Sequence, residues 1–335
     1  MKRRIFTAVI AIALTLFFVL SLFACSTPEP QNRIFYSSFD TVCVVWDYSG
    51  METEEFADLV TGIENSAYHY HRLFDAYNEY SDVTNIATLN RLAGKGPVKV
   101  DRELTDLLLF SKEMYEVTGG KVNFALGAVT DLWKRLPATE KRIPTETELL
   151  EAGKHISPAS VIIDEKNSTV EITDPLLRID VGAIAKGYAA ELIKNDLTAL
   201  GYKGLVLDFG GNLCSVGEKQ ESAIRNPLYP SVSEEAYIRW STLDDDSLVT
   251  SGVYERYVTI GGVNYHHIID TVSLFPETRY LSVTVQTPHS GKADALSTAI
   301  FNMNYEDAKS FISSFEDELE VTFVFSSGEY EIVKN

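Results

Sequence analysis

Apolar and polar positions recur along this chain with two different periods. Leu104, Leu107, Leu108, Ser111, Met114 and Tyr115 are spaced three and four apart, which predicts a helix over residues 101–115, with Asp101 as its cap and Gly119-Gly120 as its end. The same spacing predicts helices over 185–200, 293–303 and 305–315. Short runs rich in β-branched and aromatic residues predict strands over 42–46, 205–209, 237–240, 257–260 and 281–286. A hairpin joins 161–163 to 170–172 around Lys166-Asn167-Ser168, and two short strands close the chain. Helix and strand patterns alternate with no repeat, heptad or low-complexity linker between them, so the pattern is mixed α/β.

The N-terminus departs from this pattern. Lys2, Arg3 and Arg4 precede an almost unbroken apolar run from Ile5 to Phe23, followed by Ala24 and Cys25. This arrangement resembles a bacterial lipoprotein signal, cut before Cys25 with lipid on its sulfur. The other reading is an uncleaved anchor, because the run is nearly long enough to span a bilayer. The polar, proline-bearing stretch over 26–31 favours a tether and hence the lipoprotein. The expected organisation is a signal peptide over 1–24, a lipid-anchored tether over 25–34 and one folded unit over 35–335, on the extracytoplasmic face of a bacterial membrane.

Net charge is −19, and removing Lys2, Arg3 and Arg4 with the leader takes it to −22. Such acidity excludes a nucleic-acid partner and favours solubility. Cys43 and Cys214 remain after lipidation, both in apolar strand-like stretches. They are expected as buried free thiols, with one disulfide as the arithmetic alternative. No Cys or His spacing suggests zinc.

Two runs carry the candidate chemistry. Residues 180–187 read D-V-G-A-I-A-K-G, a carboxylate, a glycine-led turn and a lysine at a strand-to-helix junction. Residues 294–298 read D-A-L-S-T, so Asp294 and Thr298 share one helix face. Free N–H groups at a helix start, the Lys186 charge and two hard oxygen ligands suit a Mg²⁺-bound pyrophosphate. Each run alone also fits a plain turn and a solvated helix face. Gly210-Gly211-Asn212 fits either a turn or a close backbone approach to a ligand.

The combination resembles the ApbE-type FAD:protein FMN transferases. The motifs over 180–188 (DVGAIAKGY), 207–212 (LDFGGN), 249–256 (VTSGVYER), 266–270 (HHIID) and 293–299 (ADALSTA) occur in that family's order, with weaker matches over 39–42, 74–77 and 118–129. The resemblance implies an α+β, T-fold-like architecture with mixed sheets, flanking helices and a central cofactor cleft. It implies Mg²⁺ on Asp294, Thr298 and the Ala183 carbonyl, with FAD as substrate. It places Lys186, Tyr77, Asn123, Phe39, Ser251 and Ile269 at the FAD, and His267, rather than His266, as the base. Departures from the family pattern are Asn123 for aspartate, Phe124 for proline, Asp40 for glycine and Ser297 for alanine. The D-P-x-T-G element is also missing; here the chain runs Asp270-Thr271-Val272-Ser273-Leu274, so that loop is expected to take another shape.

The implied reaction moves FMN from FAD to a threonine or serine hydroxyl of a target protein and releases AMP. Implied targets are a flavin subunit of an Rnf/Nqr-type complex or an extracellular flavoprotein reductase. Two rivals stand beside it: hydrolysis of FAD to FMN and AMP, and a non-catalytic FAD-binding lipoprotein.

Overall fold

A computed structural model describes residues 29–229 and 236–335. The apolar leader and Cys25 lie outside the described residues. The centre is an eight-stranded sheet made of β1 Gln31–Phe35, β2 Cys43–Asp47, β3 Leu205–Phe209, β4 Asn212–Val216, β5 Ser247–Gly252, β6 Tyr280–Thr287, β7 Glu320–Phe325 and β8 Tyr330–Lys334. These strands lie side by side in chain order, and every neighbouring pair is antiparallel.

The site-building elements enter as insertions in this meander. Between β2 and β3 come α1 Thr53–Phe74, α2 Arg102–Val117, α3 Gly127–Thr139 and α4 Ala185–Ala199. Between β6 and β7 come α5 Ser290–Phe301 and α6 Tyr305–Ser314. Two-stranded arms, Gln220–Arg225 with Tyr237–Leu243 and Tyr257–Ile260 with Val263–His266, project from the β4–β5 and β5–β6 connections. The expected α+β class is what the chain adopts.

Local patterning accounts for most elements. The predicted hairpin forms as Val161–Asp164 against Thr169–Ile172, and Val98–Lys99 adds a third strand. In α2 the stripe Leu104, Leu107, Leu108, Ser111 and Met114 is buried, and the chain leaves through Gly119 and Gly120 at φ +59° and +81°. Asp101 sits at the N-cap as expected, but its side chain makes no capping bond. Cys43 and Cys214 are free and buried, as expected.

The tether boundary needs correction. Residues 31–34 are not tether: they pair with β2 from Gln31 opposite Asp47 to Phe35 opposite Cys43. Gln31 donates to Asp47 Oδ2 at 3.0 Å and to the Met51 carbonyl at 2.6 Å. A polar edge strand shows no apolar period of its own, because its partner supplies most of its stabilisation.

Helix α5 decides where the chemistry sits. It is buried on nearly every side, against β5 and β6 and beside α4. A Cβ on Gly187 would lie 2.3 Å from the Ser290 carbonyl oxygen and 2.6 Å from Asp294 Cβ. Only glycine lets the start of α4 approach α5 this closely.

Candidate active site

At the α4–α5 contact, Asp294 is 4% exposed. Its Oδ2 accepts the Gly187 N–H at 2.9 Å and lies 3.6 Å from Lys186 Nζ. Gly187 is the third residue of α4, so its N–H has no partner within the helix and Asp294 caps it; the Ala183 carbonyl, just before the helix, accepts no hydrogen bond among the described residues. Thr298, four residues along α5, is half-buried, with its hydroxyl 3.2 Å from Ser251 Oγ. The site therefore gathers one carboxylate, one hydroxyl and one unpaired carbonyl. Among the described residues no three His, Cys, Asp or Glu side chains cluster to hold a metal. This all-oxygen donor set, with a single charge, fits Mg²⁺, which keeps several waters and takes few protein ligands.

The turn into α4 is built by Asp180. Its Oδ1 accepts the Gly182 N–H at 2.9 Å, and its Oδ2 accepts the hydroxyls of Tyr77 at 2.9 Å and Thr130 at 2.8 Å. Asp180 thus orders the turn and ties Tyr77 to it. Tyr77 is half exposed, and Lys134 Nζ sits 3.1 Å from its ring centroid, a cation–π contact. Burial and the Asp180 carboxylate push the Tyr77 hydroxyl pKa far up, so it stays a donor.

A cleft opens beside this turn, lined by Phe39, Asp40, His71, Tyr77, Asp180, Lys186 and Arg256. Phe39 and Asp40 have φ of +58° and +51°, consecutive left-handed residues without a glycine. Each costs roughly 1–2 kcal/mol in an L-residue. The turn is held from two sides: Phe39 N–H donates to His71 Nδ1 at 3.1 Å, and Arg256 donates to the Phe39 and Asp40 carbonyls at 3.2 and 3.1 Å. The left-handed backbone explains why glycine suits position 40. Gly210, at φ +64°, packs where a Cβ would meet Thr41 Oγ1 at 2.1 Å, so the G-G-N loop serves close backbone packing against this same turn.

The two adjacent histidines have different fates. His266 is buried, packs edge-on against Phe301 and uses both nitrogens: Nε2 donates to the Glu277 carbonyl, and Nδ1 accepts the Ile268 N–H at 3.2 Å. His267 is exposed, and its Nδ1 lies 3.1 Å from the Arg256 carbonyl oxygen. A carbonyl only accepts, so Nδ1 carries the proton and Nε2 is left with a free lone pair. Although the residue keeps some surface, its ring loses hydration against its neighbours; that, then the Lys186 and Arg256 charges, pushes the His267 pKa down to about 4. Its imidazole is neutral at pH 7.

Three of the expected FAD residues are turned elsewhere. Ser251 bonds the α5 hydroxyls rather than the cleft, with Ser297 Oγ at 2.9 Å and Thr298 Oγ1 at 3.2 Å. Ile269 is 5% exposed and packs in a separate apolar cluster with Val129, Trp133 and Leu274. Asn123 spends its amide on the Ile156 carbonyl at 2.9 Å and the Ala125 N–H at 2.8 Å, so it shapes a turn. Phe39, Tyr77 and Lys186 do line the cleft.

The loop lacking D-P-x-T-G is a tightly bonded turn. Leu274 takes φ +60°, the conformation a glycine would supply, while Asp270 Oδ1 accepts the N–H groups of Val272 and Ser273 at 3.0 and 2.7 Å. Burial of the Leu274 side chain and the bond from Trp133 Nε1 to its carbonyl at 2.8 Å hold the turn that glycine otherwise permits. Sequence reasoning missed Lys134, a lone lysine on an ordinary amphipathic helix. Nor does any local pattern signal that Arg256 holds the turn at Phe39 and Asp40.

Comparison with known proteins shows the family. The model of the ApbE family matches residues 41–323. The FAD:protein FMN transferase of Treponema pallidum is 35% identical over 263 residues, covering 73% of this chain and 71% of the relative. That of Klebsiella pneumoniae is 30% identical over 254 residues, covering 73% and 79%. The crystal structure of the ApbE protein from Thermotoga maritima superposes with a TM-score of 0.80 at 25% identity, covering 91% of this chain and 97% of that one. The flavin transferase ApbE from Vibrio cholerae gives 0.75 at 20% identity, covering 92% and 97%. The chain belongs to the ApbE family of flavin transferases.

Proposed function

We propose that this enzyme transfers FMN from FAD to a threonine or serine hydroxyl of a target protein, releases AMP and depends on Mg²⁺. The observation that carries the reading is the α4–α5 contact: Asp294, with Thr298 one turn further along α5, accepts the Gly187 N–H beside Lys186, and the Ala183 carbonyl just before α4 accepts no hydrogen bond among the described residues. Asp294, Thr298 and that carbonyl would hold Mg²⁺, which when bound would neutralise charge on the pyrophosphate. Lys186 adds a point charge for a phosphate oxygen. Phe39, Tyr77 and the Arg256-held turn form the wall of the FAD cleft.

His267 Nε2 takes the proton of the target hydroxyl. The hydroxyl oxygen forms a bond to the FMN-side phosphorus while the bond from that phosphorus to the AMP oxygen breaks. The products are a phosphoester-linked FMN-protein and AMP. The acceptor is a flavin subunit of an Rnf/Nqr-type complex or an extracellular flavoprotein reductase. The enzyme works on the extracytoplasmic face of a bacterial membrane, anchored by lipid at Cys25.

The test is incubation with FAD and Mg²⁺, with and without an acceptor domain, followed by mass spectrometry of the acceptor and chromatography of the nucleotides. A mass increase equal to one FMN, matched by AMP, supports the transferase. FMN and AMP without acceptor labelling would establish the hydrolase, and unchanged FAD the carrier.

A further inference from the structure

Three hydroxyls meet behind the proposed cation site. Ser297 is fully buried, and its Oγ lies 3.0 Å from the Asp294 carbonyl and 2.9 Å from Ser251 Oγ. Ser251 Oγ in turn lies 3.2 Å from Thr298 Oγ1. Each hydroxyl has one proton to give and lone pairs to receive. The carbonyl at the end of the row only accepts, and that sets the direction of the whole row. Ser297 donates to the Asp294 carbonyl, so it accepts from Ser251. Ser251 has then spent its proton and accepts from Thr298.

We propose that Ser297 is a positioning residue that, through Ser251, polarises Thr298. The Thr298 proton is drawn back into the protein and its lone pairs are left for a cation. The inference rests on the metal assignment above, and it concerns a serine at a position where the family pattern has alanine. Without the Ser297 hydroxyl, Ser251 has no acceptor in the row except Thr298 Oγ1. It would then donate to that atom and occupy a lone pair the cation needs. The row is local: among the described residues Ser297 makes no hydrogen bond to Lys186, His267 or the cleft lining.

The test is direct titration with Mn²⁺ as the probe, followed by electron paramagnetic resonance, on the wild type, Ser297→Ala, Ser251→Ala and the Ser251→Ala/Ser297→Ala double variant. Thermal melts check that each is folded. One misdirected hydrogen bond should weaken Mn²⁺ binding by about threefold to tenfold in Ser297→Ala. The double variant removes the misdirected donor as well, so it should bind no more weakly than Ser297→Ala alone, a non-additive cycle. Wild-type binding with Ser297→Ala unchanged would overturn the inference and leave the metal assignment standing. So would additive losses in the double variant. Failure of the wild type to bind Mn²⁺ at all would overturn the metal assignment and this inference with it.

Discussion

Replacing Asp294 in two ways separates its bond to the backbone from its charge. In the wild type its Oδ2 accepts the Gly187 N–H at 2.9 Å in a site that is 4% exposed. Asp294→Ala leaves that buried N–H without a partner. A hydrogen bond to a charged group is worth about 1.5–3 kcal/mol. For a folded unit of this size, with unfolding entropy near 2 cal/mol/K per residue, that corresponds to a fall in Tm of about 2–5 °C. Asp294→Asn keeps an amide oxygen at nearly the same place and should melt close to the wild type. Both variants lose the only carboxylate of the proposed cation site. Transfer should therefore fall on the order of thousandfold in each, as expected when stabilisation of transition-state charge worth about 4 kcal/mol is removed. The assay is single-turnover labelling of an acceptor domain, read as covalent flavin fluorescence across a Mg²⁺ series, beside thermal melts. Retention of activity within tenfold by Asp294→Asn, or full wild-type activity in EDTA, would refute the metal role. An equal loss of Tm in both variants would refute the argument from the Gly187 bond.

His267→Ala should keep FAD binding and lower transfer by roughly 10²–10⁴, the usual worth of a general base. Because the His267 pKa is pushed down to about 4, the neutral base persists as pH falls through 6.5, and its acid limb should appear only near pH 4; a wild-type half-maximum near 6.5 that vanishes in His267→Ala would contradict this. The sign for stability is the opposite of a salt-bridged histidine: the folded pKa is depressed, so His267's contribution is present above pH 6.5 and declines as pH falls from 6.5 toward 4. His266→Ala should act through stability instead, costing about 2–4 kcal/mol in a denaturant melt with its folded fraction still active, since that ring is buried with both nitrogens bonded. Gly187→Ala should fold poorly or lose activity, because a Cβ 2.3 Å from the Ser290 oxygen forces α4 off α5 and costs about 1–3 kcal/mol or more; a variant as stable and active as the wild type would refute the close-contact argument. Cys25→Ser should leave the leader uncleaved and the protein without lipid, checked by intact mass and detergent partitioning.

The sequence by itself determined what depends on neighbours along the chain. Helix and strand periods are local, so α2, α4, α6 and the hairpin of Val161–Asp164 with Thr169–Ile172 were legible, as was the shared face of Asp294 and Thr298. The motif order points to His267 over His266; the structure shows both His266 nitrogens bonded and only Nδ1 of His267 bonded among the described residues. The tertiary structure alone decided what depends on distant partners. Ser251 reaches Ser297 across 46 residues and Arg256 reaches Phe39 across 217, so neither the hydroxyl row nor the clamped left-handed turn has a local signature. The strand character of Gln31–Phe35 comes from β2, and the left-handed Leu274 is tolerated because a distant apolar cluster buries its side chain. Chain-local physics sets which residues can form an element. Packing between elements sets which way each side chain turns, and for Ser251, Ile269 and Asn123 that was away from the cleft.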